Sequence, residues 1–222
     1  VFDSLRSLLE LVYPPQCINC NALGEDFCEV CKQEWIAPTR CISVSPIPMW
    51  SSAHYSRVAT RIILLAKENN NLAARKVLAQ AIAQSIEHIS ANAGSRRLIL
   101  IPIPSSKKMN RKRGFTHGQS LAQEVGRHFN NRPVVLSALV HNRSVRDQSE
   151  IAMSARELNL HGAYSVNARK GAISPSDLVL LIDDLITSGS SVREAVRALK
   201  SANIFPEAAI SACAVGAAFR LR

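Results

Sequence analysis

Asp183 and Asp184 stand side by side in the segment LVLLIDDLITSGSSV, and Thr187, Ser188, Gly189, Ser190 and Ser191 follow almost at once. Adjacent carboxylates suit the hydroxyl groups of a sugar or a phosphate-bridging magnesium ion, both of which pair with anionic oxygen. The small-residue run suits phosphate instead. Backbone N–H groups at a helix N-terminus lack partners, neighbouring hydroxyls add donors, and glycine lets the backbone approach closely. A sugar phosphate carried with Mg2+ satisfies both halves. Neither a GxxxxGK[ST] loop nor a GxGxxG turn occurs in the chain, so the ATPase and dinucleotide readings fall.

Cysteines supply a second chemistry. CINC carries Cys17 and Cys20, and CEVC carries Cys28 and Cys31. Each CxxC turn aims two thiolates at one point, so the pairs suit tetrahedral Zn2+, and a full set of thiolate ligands makes the ion structural. Two disulfides or redox couples are the competing arrangement, which a reducing compartment disfavours. Asn21 follows the first knuckle where glycine is common, and asparagine tolerates a left-handed backbone. Cys41 reads as a spare thiol or an occasional ligand, and Cys213, in the apolar AAISACAVG, as core packing.

These residues need elements to position them. The apolar run 178–182 predicts a strand buried on both faces that stops at the acids. Val192, Ala195, Val196 and Leu199 recur at helical spacing, so residues 187–191 link that strand to a helix N-terminus. Helices are expected near 57–67, 72–91 and 119–129, and further strands near 98–103, 134–136 and 208–215. The proline-rich, non-periodic APTRCISVSPIPMW reads as a linker ending near Trp50. The expectation is an α/β, three-layer domain with a mainly parallel sheet over 50–222, preceded by an N-terminal helix and a four-cysteine zinc module over 1–45.

Charge is unevenly shared. The chain carries 27 basic and 17 acidic residues, of which the first 50 positions hold three basic and six acidic, leaving 24 and 11 for the rest. Arg96, Arg97, Lys107, Lys108, Arg111, Lys112 and Arg113 lie in one acid-free stretch, which suits a polyanion or a solvated basic face. No apolar run approaches the ~18 residues needed to span a bilayer. The N-terminal stripe FDSLRSLLELVY carries charge and lacks a small-residue cleavage site, so a cytoplasmic protein without membrane insertion is expected.

LLIDDLITSGSS resembles the phosphoribosyl pyrophosphate signature of type I phosphoribosyltransferases. Together with LLELVYPPQCINC, IPIPSSKKMNRKRGFTHGQSLA and RDQSEIAMSARELNLHGAY, in this order, it resembles the ComF/GntX family of competence-associated phosphoribosyltransferase-like proteins. The resemblance implies a type I phosphoribosyltransferase-like fold in which Asp183 and Asp184 hold ribose hydroxyls and Thr187, Ser188, Gly189, Ser190 and Ser191 hold the 5-phosphate. It also implies that Ser105 and Ser106 face pyrophosphate, that Arg113 opens an RGF motif, and that Gln148, Arg156 and Asn159 form a later polar signature. Bidentate phosphate binding by guanidinium agrees with the roles of Arg113 and Arg156.

The chain departs from the family pattern, a lysine followed soon by an aromatic residue and glycine, at LAKENNN, where Lys67 is kept and the glycine is not. As a transferase it would displace pyrophosphate from the anomeric carbon, with Mg2+ and arginine neutralising the leaving group and Asp183, Asp184 and Arg113 as the catalytic set. The six histidines carry no partner motif that names a general base. Two other readings stand beside the transferase: a single-stranded DNA factor in DNA uptake, with a competence helicase or uptake protein as partner, and a non-catalytic phosphoribosyl pyrophosphate sensor. Phe115 is the only aromatic near the basic stretch, which weakens a base-stacking role.

Overall fold

Every residue from Leu178 to Ile182 is at most 6% exposed, and this run lies at the centre of the molecule. A computed structural model of the chain describes residues 13–91, 93–142, 162–167 and 173–215. Its main sheet has six strands. From one edge to the other they are β1 (Ile36–Ser43), β2 (Met49–Ala53), β8 (Ala208–Ala214), β7 (Leu178–Ile186), β3 (Leu98–Pro102) and β4 (Val134–Val135). All neighbours are parallel except β1 and β2. A small antiparallel pair, β5 (Leu139–His141) and β6 (Tyr164–Val166), lies apart from it.

Helices cover both faces, as a mostly parallel sheet requires. Leu178, Leu180 and Ile182 pack with α2 (Arg57–Glu68), α3 (Leu72–Ser90) and α5 (His117–Gly126). Val179, Leu181 and Ile186 pack with α6 (Ser190–Ser201) and the β5–β6 pair. Burying each such side chain contributes about 1.5–3 kcal/mol, so the strand that carries the acids is firmly anchored on both faces. The expected stripe of α6, Val192, Ala195, Val196 and Leu199, is buried. Helix α3 is rich in alanine and starts where the Asn71 side chain accepts from Ala74 N at 2.9 Å.

The chain moves outward from β3 through α5 to β4, and outward in the opposite direction from β7 through α6 to β8. The carboxyl ends of β3 and β7 therefore flank a topological switch point, where open α/β sheets place their ligands.

Several expectations need correction. Strand β7 does not stop at Ile182: it continues to Ile186 because β8 keeps pairing with it, through Asp183 with Ser211, Leu185 with Cys213 and Ile186 with Ala214. The stretch read as a linker contains all of β1 but its first residue and the start of β2, and these strands pair from Ile36 with Ala53 to Ser43 with Met49. Pro38 concealed that strand, since a proline lacks the N–H of a central strand but is tolerated on an edge. Helix α5 starts and ends earlier than expected, and the short α4 (Lys107–Arg113) was not anticipated at all.

The cysteine segment leads directly into this sheet. Helix α1 (Glu29–Trp35) ends on buried Trp35, whose carbonyl accepts from His54 N at 3.0 Å. Cys17, Phe27, Cys31 and Trp35 share one hydrophobic cluster with α2 and α3, and Arg61 Nε donates to Ile18 O at 2.8 Å. Among the described residues no helix is long and apolar enough to cross a membrane.

Candidate functional site at the switch point

The two loops singled out in the sequence meet at this point of the sheet. Pro102 pairs with Ile182, and Ile103 N donates to Ile182 O at 2.9 Å, so the β3 loop that contains Ser105 and Ser106 leaves beside Asp183 and Asp184. Past Ile182, β7 pairs with β8 alone among the described strands.

Consecutive strand residues point to opposite faces, and this divides the acid pair. Asp184 turns inward, where Lys67 Nζ donates to its Oδ2 at 2.8 Å and His117 Nε2 lies 3.3 Å from the same oxygen. The histidine contact is at ion-pair distance but lacks hydrogen-bond alignment. Asp184 and His117 are each 3% exposed. Burial would raise the pKa of Asp184, but His117 and Lys67 together hold it below the ordinary carboxylate range. Asp183 is half-buried and lines the other side, and burial followed by the Asp184 charge pushes its pKa well up. The member of the pair that takes up a proton first is therefore Asp183. Lys67 is raised: burial works against its charge, and Asp184 and Asp183 overcome it.

Asp183 shares a small polar cup, about 30 Å³, with Thr187, Gly189, Ser190 and Ser191. Gly189 adopts the left-handed conformation, φ 73°, directly before α6, and no side chain caps that helix. Ser188 Oγ and Ser190 Oγ are 2.6 Å apart. Tyr164 stands behind the cup, edge-on to His141 with ring centroids 4.8 Å apart. Burial, followed by the Asp183 charge, pushes the Tyr164 hydroxyl up to about 12.

On the β3 side, Ser105 lines a cavity of about 220 Å³ with Pro102, Ile103, Pro104, Asn110 and Gln119 among its walls. The hydroxyl of Ser106 is engaged as the cap of α4, accepting from Met109 N at 3.3 Å. Arg113 ends α4 and is clasped by Glu68, with Nε at 3.1 Å and Nη2 at 2.6 Å from its carboxylate oxygens. Arg113 holds Glu68 below its ordinary pKa against the opposing effect of burial. Gln148, Arg156 and Asn159 lie outside the described residues.

The acid-free basic stretch also divides. Arg97 forks onto Asp177 at 3.0 and 2.6 Å, and Arg96 clasps Glu207, so both have structural partners. Lys108, Arg111 and Lys112 of α4 are exposed.

Cys17, Cys20, Cys28 and Cys31 form the other centre, with their sulfur atoms all within 4.8 Å of one another. Tetrahedral zinc with bonds of about 2.3 Å sets its sulfurs roughly 3.8 Å apart, so the thiols fit the ion. Cys20 and Cys28, from different knuckles, already lie at 3.5 Å. Burial would raise the Cys17 pKa, but backbone N–H groups including that of Cys28 bring it down to about 6. Asn21 takes the left-handed turn, φ 63°. Cys41 stands outside the cluster, donating to Ser43 O at 3.2 Å, and Cys213 is fully buried in β8.

Sequence reasoning missed His117, Glu68 and Tyr164 as members of the site and kept Lys67 only as a point of resemblance. A histidine two residues after the RGF motif and a charged pair ending a helix were the available signals, and neither names its partner. No family model and no curated protein matches the chain.

Proposed function

We propose that the crevice beyond β3 and β7 binds phosphoribosyl pyrophosphate with Mg2+, and that the chain is a phosphoribosyltransferase-like protein of the ComF/GntX type. The observation that carries this reading is the meeting of the two loops, with the Asp183 carboxylate beside a cup of hydroxyls and helix N–H groups. The 5-phosphate would rest in that cup, where N–H groups and the left-handed glycine accept an anion without a clashing side chain. Asp183 would accept hydrogen bonds from the ribose hydroxyls. Asp184, already paired with Lys67 and His117, positions the strand and supplies the local field rather than a free ligand.

Oxygen donors suit Mg2+, and the Asp183 carboxylate would offer one to an ion carried with the pyrophosphate. When bound, the ion neutralises the departing pyrophosphate. In the transfer an acceptor donates an electron pair to the anomeric carbon while the carbon–oxygen bond to pyrophosphate breaks and its electrons leave with the pyrophosphate. Arg113 would meet the charge of the leaving group, and Asp183 would favour the positive charge developing on the ribose ring.

The cellular setting in this reading is cytoplasmic DNA uptake or processing. The exposed Lys108, Arg111 and Lys112 favour a second reading, a single-stranded DNA contact on α4, for which a competence helicase would be the natural protein partner. A sensor that binds phosphoribosyl pyrophosphate without turnover uses the same crevice.

Calorimetric titration of phosphoribosyl pyrophosphate with Mg2+ tests the proposal, using the wild type beside Asp183→Asn. Binding in the wild type and its loss in the variant is the expected result. No heat and no thermal stabilisation of the folded wild type would sink it, and a steep fall of oligonucleotide binding with salt would then favour the DNA reading.

A further inference from the structure

Helix α2 ends on Lys67 and Glu68, and their side chains serve different partners. Lys67 closes on Asp184, whereas Glu68 closes on Arg113 with both carboxylate oxygens. The clasp is uneven. The Arg113 side chain is 5% exposed, while that of Glu68 is 37% exposed and can swing into solvent. A carboxylate fills two of the five guanidinium donors, and Arg113 Nη1 is buried with no hydrogen-bond partner among the described residues. A buried donor without a partner is costly, and an anion with a third oxygen would relieve it. Phosphoryl groups have that third oxygen and carboxylates do not.

We propose that Glu68 is an internal ligand of Arg113 that holds the place of a phosphoryl group, so that a pyrophosphoryl anion enters by displacing a carboxylate. Glu68 is then a specificity-determining residue. A carboxylate from solution exchanges like for like and gains nothing, whereas a pyrophosphoryl group carries more charge and fills the remaining donor. The displaced Glu68 stays next to Lys67, which retains its pair with Asp184. The inference rests on the crevice reading only for the identity of the anion, so inorganic pyrophosphate, which carries no sugar, is the probe.

Titrations of inorganic pyrophosphate and of acetate into the wild type, Glu68→Gln and Glu68→Gln with Arg113→Gln test it, with thermal unfolding as a check on folding. Glu68→Gln is expected to tighten pyrophosphate about tenfold, the size of one charge-assisted contact, and to leave acetate weak. Adding Arg113→Gln is expected to remove the gain. Pyrophosphate binding that is unchanged or weaker in Glu68→Gln would overturn the inference, because Glu68 would then serve to orient Arg113. A gain that survives Arg113→Gln would overturn it too, since it would reflect net charge alone. Failure of the crevice reading has a separate signature: the Glu68→Gln effect on inorganic pyrophosphate persists, while phosphoribosyl pyrophosphate with Mg2+ binds Asp183→Asn as it binds the wild type.

Discussion

Cys17 and Cys28 touch across 11 positions of the chain, whereas Lys67 and Asp184 meet across 117. The two centres also differ in what holds them together. Four thiols can be gathered by local turns and wait for an ion, but an inward carboxylate must be met in the folded core itself by a cation from another element, here Lys67. The cysteine centre is therefore expected to depend on an added ligand, and the switch-point centre on the order of the strands.

Metal removal should give the largest effect. The purified protein is expected to carry about one zinc per chain, and chelation to destabilise it by several kcal/mol, part of the roughly 10–16 kcal/mol typical of structural zinc binding. Cys17→Ser should lose the metal and Cys41→Ser should keep it, which elemental analysis and thermal unfolding would read. A chelated protein as stable as the untreated one would erase the contrast between the centres.

Next comes the acid pair. Asp184→Asn leaves Lys67 and His117 facing no charge, at an expected cost of about 3–5 kcal/mol in urea unfolding. Asp183→Asn should do the opposite at neutral pH, because its raised pKa means that the ionised form costs stability. The sign fixes the pH dependence. The raised group favours folding below its unfolded pKa and loses that contribution as pH rises through its folded value, so the advantage of Asp183→Asn shrinks on acidification. The depressed Asp184 behaves in reverse, supporting the fold above the ordinary carboxylate range and losing its contribution as pH falls. Equal effects from the two substitutions would show that the strand does not separate their roles.

A smaller effect is expected at the polar cup before α6. An alanine at Gly189 would hold a side chain at φ 73° with its Cβ 3.3 Å from Met49 Cε, at a cost of about 1–2 kcal/mol. At Gly114, where φ is 75° and nothing lies within 4 Å, alanine should incur only the backbone penalty of about 1 kcal/mol. Thermal unfolding of the two variants separates crowding from conformation.

How much of this was legible in the sequence follows the same division. The knuckle spacing located the cysteine centre because turn geometry is local. The buried run 178–182 and the stripe on α6 located the strand, the loop and the helix for the same reason. The end of β7 was not legible, because its last residues stay in register only through β8, which lies well downstream. His117 and Lys67 were hidden more deeply. Their helices carry ordinary apolar stripes, and only the packing of α2 and α5 on one face of the sheet brings both to Asp184.

Strand β1 has a further consequence. It forms the outer rim of the sheet, continues directly from the cysteine segment, and bears Pro38, which interrupts the row of free N–H groups that a neighbouring molecule would need. Strand β2 behind it, MWSSA, has no such guard. Stripping the metal should therefore loosen β1 and bare an edge able to pair with the same edge of another copy. Light scattering on chelation, suppressed when zinc is restored before strands can associate, would identify the cysteine centre as protection against self-assembly.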